Sequence, residues 1–302
     1  RYSMAEAEMI RGINDWVFEY TKENYGQAVR PWMSPFSPMY LYRLICALRE
    51  HTKKEDFSVF EIGPGSGYLG AYLASSGFRY GGTDIAQSLY LWQNRIFNYV
   101  AGSDFEDFVM TGGSSETNAR VIHVPWWQFY RFREAVPRKA DVVICERAIG
   151  EMTQIAREYV IQVARHMLDG PGVKVFMYGG VGSLKFVDAQ HIVNDFINGG
   201  FDLINIYGFT AFTPRGSELS KYKVHHYEDL YSTGFIQRVS RRLNRTFAHP
   251  RAGKFYQEFC SDPLYMQFGP AEKGNTVGAE DIVTPKWEEA PDSYEFLRFI
   301  GR

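Results

Sequence analysis

Glu61 ends an apolar run, and three glycines follow it at alternate positions: Gly63, Gly65 and Gly67, in the stretch FSVFEIGPGSGYLGAYLASSGFRYGGTD from Phe57 to Asp84. A second acid, Asp84, ends the next apolar run, 23 positions after Glu61. The stretch reads as strand, glycine-rich turn, helix, strand and acid, the first βαβ unit of a nucleotide-binding sheet. A carboxylate directly before the turn repels phosphate and suits a ligand that is positive at that point. Asp84 is placed to accept hydrogen bonds from ribose hydroxyls or to cap the helix that follows it. One carboxylate has lone pairs for both.

A ribose at one end and a cationic amino-acid group at the other describe S-adenosylmethionine, which carries an α-ammonium and a sulfonium and no phosphate. Glu61, Gly63, Gly65 and Gly67 are expected to hold its amino-acid end. An overlapping frame, Gly65-Ser66-Gly67-Tyr68-Leu69-Gly70, fits the G-x-G-x-x-G of dinucleotide sites. That frame requires the strand to run through Gly63 and Pro64, and proline removes a ladder donor. Started at Gly63, the same pattern needs glycine where Tyr68 stands. Glycines that serve tight packing alone are the structural alternative. The expected cofactor is S-adenosylmethionine.

Methyl transfer from a sulfonium is an in-line displacement, which needs an aligned acceptor, exclusion of water and, for a hydroxyl, removal of a proton. The strand Asp141–Cys145 runs into Glu146-Arg147-Ala148-Ile149-Gly150-Glu151. Glu146 is the first polar side chain beyond that buried strand and is the first candidate for a base or a hydroxyl anchor. Glu151 is the second, although an acid opening a helix is favoured by the dipole alone. His225 and His226 are adjacent, so in a strand only one of them reaches a site; His225 is carried as the third candidate. His123 lies within a strand and reads as a satisfied core histidine. Trp126, at the turn after that strand, is a candidate flank for adenine, whereas Trp127 reads as core packing. Arg238, Arg241, Arg242 and Arg245 fall on one face of an expected helix, solvated or anion-binding. No histidine or acid spacing suggests a metal site.

These residues need a scaffold, and the rest of the chain supplies its pattern. Helical spacing covers Met4 to Glu23 and about Tyr40 to His51, joined by a loop with Pro31, Pro35 and Pro38. Strands are expected at Ser58–Ile62, Arg79–Thr83, Arg120–Val124, Asp141–Cys145, Val173–Tyr178 and Phe201–Gly208. Helices are expected at Tyr68–Ser75, Ile85–Val100, Trp127–Ala135, Ile149–Leu168 and Leu184–Asn198, with a flexible loop over Met110–Ala119. The alternation predicts an α/β fold, a doubly wound, mostly parallel seven-stranded sheet, with the seventh strand at Lys223–Leu230 and a helix at Phe235–Phe247. The expected division is an N-terminal helical cap over 1–55, a cofactor-binding Rossmann-like domain over 56–235, and an irregular C-terminal extension over 236–302 acting as lid, edge cover or homo-oligomer contact.

The 302 residues, 45% hydrophobic and 23% charged, have the balance of a globular protein. A net charge of −2 argues against general nucleic-acid binding. No apolar run approaches the about 18 residues of a membrane span, and RYSMAEAEMIRGINDW lacks the apolar core of a signal peptide. Three widely spaced cysteines suit a reducing, cytoplasmic setting. The expected partner is a small-molecule acceptor, with neither nucleic acid nor membrane.

With FEIGPGSGYLGAYLA, TDIAQSLYLWQNRIFNY, PWWQF and ADVVICERAIGEM in hand, the chain resembles the class I S-adenosylmethionine-dependent methyltransferases. Within them it is similar to the bacterial putative sugar O-methyltransferase family, linked to polysaccharide and natural-product biosynthesis, over about Pro38 to Gly208. The resemblance implies that Glu61, Gly63, Gly65, Asp84 and Gln87 contact the cofactor. It implies methylation of a hydroxyl on a sugar or sugar-like molecule. N- or carboxyl-methylation of a natural product and a non-catalytic cofactor-binding subunit are the alternatives. The family pattern places Asn-His just after the fourth strand, and this chain has Glu146-Arg147. Arginine does not replace histidine as a base near neutral pH, which points to a changed acceptor.

Overall fold

A computed structural model describes residues 1–31, 33–113, 117–146, 148–178, 189–206, 209–223, 276–282 and 290. A short strand β1 (Tyr2–Ser3) leads into helix α1 (Met4–Tyr25). Ser3 and Glu6 close a capping box at its start, and Gly26 ends it in the left-handed conformation. Helix α2 (Met39–Thr52) buries Leu44, Ile45 and Leu48 completely, each worth about 1.5–3 kcal/mol. Glu6 and Arg43 tie the two helices through a buried ion pair at 2.8 Å.

The sheet begins with β2 (Ser58–Ile62), followed by α3 (Tyr68–Ser75), β3 (Arg79–Asp84) and α4 (Gln87–Ala101). Then come β4 (Phe105–Asp107), α5 (Phe108–Thr111), β5 (Val121–Pro125), α6 (Trp126–Phe129), β6 (Val142–Ile144), α7 (Gln154–Met167), β7 (Val175–Tyr178), α8 (Ala189–Asn198), β8 (Phe201–Ile206) and β9 (Phe209–Pro214). A final pair of residues, β10 (Thr276–Val277), runs antiparallel to β1. The main sheet has the order β4-β5-β3-β2-β6-β7-β9-β8. All pairings are parallel except those of β9, which is antiparallel to both β7 and β8. From β5 to β7 the order is doubly wound about β2, and the switch point lies between β2 and β6, where ligands bind at the carboxyl ends of such strands.

The expected parallel sheet is present, with two differences. It has eight strands, because β4 forms an extra edge. Its three residues are only half-buried and carry no apolar alternation, so the sequence gives no strand signal there. The second is the strand Phe209–Pro214, which joins β7 as a hairpin partner of β8. Of Lys223–Leu230 only Lys223 is described, and the expected helix Phe235–Phe247 lies outside the described residues, as do His225, His226 and the four arginines after them. Part of the expected Met110–Ala119 loop extends α5 instead.

The two-residue period of the strands sorts their side chains into two cores. Val59, Tyr80, Val121, Val142, Ile144, Val175 and Met177 pack with α1 to α4. Phe60, Ile62, Ile122, Val124, Val143, Phe176 and Tyr178 pack with α7 and α8. By the same alternation Glu61, Asp84 and His123 fall on the first face, under α3 and α4. At the opposite end of the sheet Asp141 accepts from the Ser58 amide at 2.9 Å and pairs with Lys54 and Lys174 at 2.8 Å, fixing the starts of β2 and β6.

Candidate functional site

The glycine turn is held from below by backbone and from the side by α4. The Gly63 amide donates to the Thr83 carbonyl at 2.9 Å and the Gly67 amide to the Pro64 carbonyl at 3.0 Å. Trp92 donates to the Ser66 carbonyl at 3.0 Å and Gln93 to the Gly65 carbonyl at 2.8 Å. Gly63 and Gly65 both have positive φ, +74° and +58°. A Cβ on Gly63 would stand 2.8 Å from the Ala148 Cβ, and one on Gly65 would stand 3.3 Å from the Met33 sulfur. Gly67 caps α3, and its open side faces Ile96 and Gln93 of α4, so in this structure it packs helix against helix. Gly70 lies against Tyr80: a Cβ there would meet the ring at 2.4 Å. That third glycine, which made the dinucleotide frame tempting, is what lets Tyr80 slide beneath α3.

Tyr80 is the consequence that sequence reading missed. Its hydroxyl donates to Glu61 Oε2 at 2.8 Å. Glu61 is 5% exposed, and Tyr80 is its one hydrogen-bond partner among the described residues, which leaves Oε1 unpaired. Burial pushes its carboxyl up to about 8; the Tyr80 bond opposes this, and the charges of Glu146 and Asp84 add to it. Asp84, also buried, accepts from Gln93 through Oδ2 at 2.8 Å and from the Ala86 amide through Oδ1 at 3.0 Å. The second bond closes a local turn just before α4, so the capping role exists in part, although α4 itself begins at Gln87 without a side-chain cap.

Glu146 comes to the same place from the end of β6. It is half-buried and lines a small cavity of about 20 Å³ with Glu61, Met33, Ser37 and Pro38. The loop between α1 and α2 covers this cavity, pinned where Tyr72 donates to the Pro35 carbonyl at 2.8 Å. Among the described residues no three His, Cys, Asp or Glu side chains come together as metal ligands. The charges of Glu146 and Asp84 both act on Glu61, which makes this an anionic corner suited to an organic cation.

The remaining candidates spread out. Glu151 is exposed and sits in a 3-10 turn at Ala148–Glu151. It does not open the next helix: α7 starts at Gln154, with Thr153 as its cap. Gln87 is exposed at the start of α4. Trp126 is 54% exposed beside the end of β3, where Asp84 pairs in register with Pro125. Trp127, expected in the core, is 48% exposed, because Phe129 and Phe132 take the inward positions of that short helical stretch. His123 is fully buried in the core, as expected, with its two ring nitrogens facing the amide oxygens of Gln93 and Asn94. His225 and Arg147 lie outside the described residues.

Gln93 was legible in principle. It is a polar residue on the buried stripe Tyr90, Gln93, Ile96 and Phe97 of α4, and a buried polar side chain on an apolar face needs a reason.

No family model matches the chain, and no curated protein matches it. Among solved structures it is similar to a TehB-like SAM-dependent methyltransferase from Corynebacterium glutamicum, at 14% identity over 68% of this chain and 98% of that one, TM-score 0.42. It is similar to the glycopeptide N-methyltransferase MtfA complexed with S-adenosyl-L-methionine, at 12% identity over 61% and 95%, TM-score 0.39. It is similar also to the magnesium protoporphyrin IX methyltransferase ChlM from Synechocystis with bound SAM, at 12% identity over 68% and 95%, TM-score 0.39. The strand order defines the fold class: a doubly wound, Rossmann-like α/β fold, with the antiparallel β9 set between β7 and β8.

Proposed function

We propose that the chain is an S-adenosylmethionine-dependent methyltransferase whose acceptor is a hydroxyl of a sugar or sugar-like polar small molecule. The observation that carries this reading is Glu61: a buried carboxylate set directly before a glycine turn, with one oxygen unpaired and two further carboxylates beside it. A pyrophosphate is repelled at such a point, and an ammonium is drawn to it.

When bound, S-adenosylmethionine supplies an electrophilic methyl group. The residues that would hold it divide by chemistry. Glu61 takes the ammonium, and the backbone of Gly63 and Gly65 leaves room for the amino-acid end. Asp84 accepts from the ribose hydroxyls, and Trp126 offers a ring face to the adenine. Glu146 stands where the amino-acid end and the acceptor would meet; it takes the acceptor proton or anchors its hydroxyl. Met33, Ser37 and Pro38 exclude water from that corner. Residues 1–55 act as the cap that carries this roof, and residues 56–235 as the catalytic domain.

A second reading, methylation at nitrogen, draws on the same corner. Three carboxylates attract a basic amine, and an amine that arrives neutral needs little help from a base. A panel of polyhydroxylated and amine acceptors separates the two by which one receives labelled methyl.

The cofactor is tested by calorimetry with S-adenosylmethionine, S-adenosylhomocysteine and NAD. Binding of the first two and none of NAD is expected. Tight NAD binding with no response to S-adenosylhomocysteine would sink the reading. Gly65→Val is expected to abolish binding, since a branched side chain at positive φ both strains the turn and fills the space over it.

A further inference from the structure

A chain of buried and half-buried polar side chains runs from Asp84 to the edge strand β4, and no role assigned above uses its members beyond Asp84. Gln93 lies at its centre, with no exposed surface. Its amide nitrogen donates both to the Gly65 carbonyl and to Asp84 Oδ2, each at 2.8 Å. Its amide oxygen meets His123 Nε2 at 2.9 Å. The other ring nitrogen, Nδ1, meets Asn94 Oδ1 at 2.5 Å, and Asn94 donates to Asp107 Oδ2 at 2.8 Å. Tyr90 donates to Asp107 Oδ1 at 2.6 Å and stacks on the His123 ring with centroids 4.0 Å apart.

Such a network is costly to bury and is tolerated when its members are satisfied. The neighbouring buried positions of α4, Ile96 and Phe97, are apolar and pack without this cost. The polar alternative occurs where two parts of the site meet: the glycine turn, through the Gly65 carbonyl, and the ribose-side acid, Asp84. One amide clamps both.

We propose that Gln93, backed by His123, is a positioning residue that locks the Gly65 turn and the Asp84 carboxylate into one unit, so that the adenosine half of the ligand is recognised only while this clamp holds. The inference rests on the reading of Asp84 as the ribose acceptor. His123 supplies the rigidity. Each flanking amide has its nitrogen anchored to a carboxylate or carbonyl, so each presents its oxygen to the ring. Two protons on the ring would satisfy both oxygens, whereas burial disfavours that charge and drives the ring pKa down to about 3. The ring then holds a single N–H between two acceptors, and any shift of Gln93 or Asp84 changes its surroundings. His123 is thus a reporter of the clamp.

Gln93→Glu tests the clamp. It keeps the shape, removes the amide donor and sets a second carboxylate against Asp84. At neutral pH its affinity for S-adenosylhomocysteine and for adenosine is expected to fall by about 10- to 100-fold, the scale of a hydrogen bond to a charged group. Its affinity for methionine is expected to fall less than that for adenosine, because Glu61, which carries the ammonium, is not a partner of the clamp. In the unaltered protein the ring nitrogen-15 signals of His123, assigned with His123→Asn, are expected to move on addition of adenosine and to stay on addition of methionine. This measurement decides the matter if the variant does not fold. Equal losses for adenosine and methionine, or a His123 ring blind to adenosine while S-adenosylhomocysteine binds, overturn the clamp and leave the cofactor reading standing. An unaltered protein that binds NAD and not S-adenosylhomocysteine overturns both.

Discussion

Glu61 is neutral in part at pH 7, because burial and two neighbouring carboxylates hold its carboxyl at about 8. An ammonium placed against Oε1 restores the charge and expels the proton. Binding of S-adenosylhomocysteine at pH 7 is therefore expected to release protons, read as a difference in apparent calorimetric enthalpy between phosphate and Tris buffers. Equal enthalpies would place the ligand's ammonium away from Glu61. The same shift has a stability consequence. A carboxyl raised from 4.5 when unfolded to about 8 when folded stabilises the ligand-free protein at low pH, and this contribution is lost as pH rises through about 8. Glu61→Gln has no such loss, so its melting temperature is expected to gain on the unaltered protein between pH 5 and pH 9. Glu146 is tested by turnover. If it is the base, Glu146→Gln should lower kcat by about 10²–10⁴ and leave cofactor affinity unchanged. If it only anchors a hydroxyl, the loss should fall mainly on KM. Full activity on the true acceptor would remove both roles.

At the scale of elements, two contacts decide whether the site forms. The first is α3 on β3. Gly70 gives Tyr80 the space to reach Glu61, and Gly70→Ala drives a Cβ to 2.4 Å from the ring. A loss of about 1–3 kcal/mol is expected from such overpacking, read by urea titration. Tyr80→Leu in the same chain should recover much of it, because the two side chains compete for one space; additive losses would show that the strain lies elsewhere. The second is the loop between α1 and α2. The cavity beneath Met33 and Pro38 holds about 20 Å³, the space of one water. A ligand end larger than that displaces the loop. Hydrogen exchange in residues 33–39 is expected to change on addition of S-adenosylhomocysteine, and unchanged exchange there would mean that the ligand enters by another side.

At the scale of the molecule, the buried pair of Glu6 and Arg43 holds the two helices of the cap together. Arg43 also donates to the Arg1 carbonyl at 2.9 Å, and β1 beside it pairs with β10, so the N-terminal helices and the C-terminal residues 276–282 meet at one corner. Arg43→Met removes the guanidinium from the buried Glu6 carboxylate and leaves it the Ser3 amide. A loss of about 3–5 kcal/mol is expected, measured by chemical denaturation. A change below about 1 kcal/mol would mean that Glu6 finds other donors or water.

The sheet, its winding and the glycine turn were legible because they rest on short-range signals. Apolar runs of five residues, a period of two and glycines at strand ends are written locally, and β2, α3 and β3 stand where these signals place them. The places of Glu61 and Asp84 at the carboxyl ends of β2 and β3 were legible for the same reason. What the sequence left open depends on contacts between residues far apart along the chain. No local pattern tells that Tyr80 reaches back to Glu61, that Gln93 bridges Gly65 and Asp84, or that Met33 of a distant loop comes down on Gly65. The edge strand β4 and the hairpin strand β9 escaped notice because pairing partners, rather than their own composition, make them strands. The chain determined by itself where its charges stand along each element; packing decided which of them meet, because a carboxylate's neighbours and its proton are set by burial, and burial exists only in three dimensions.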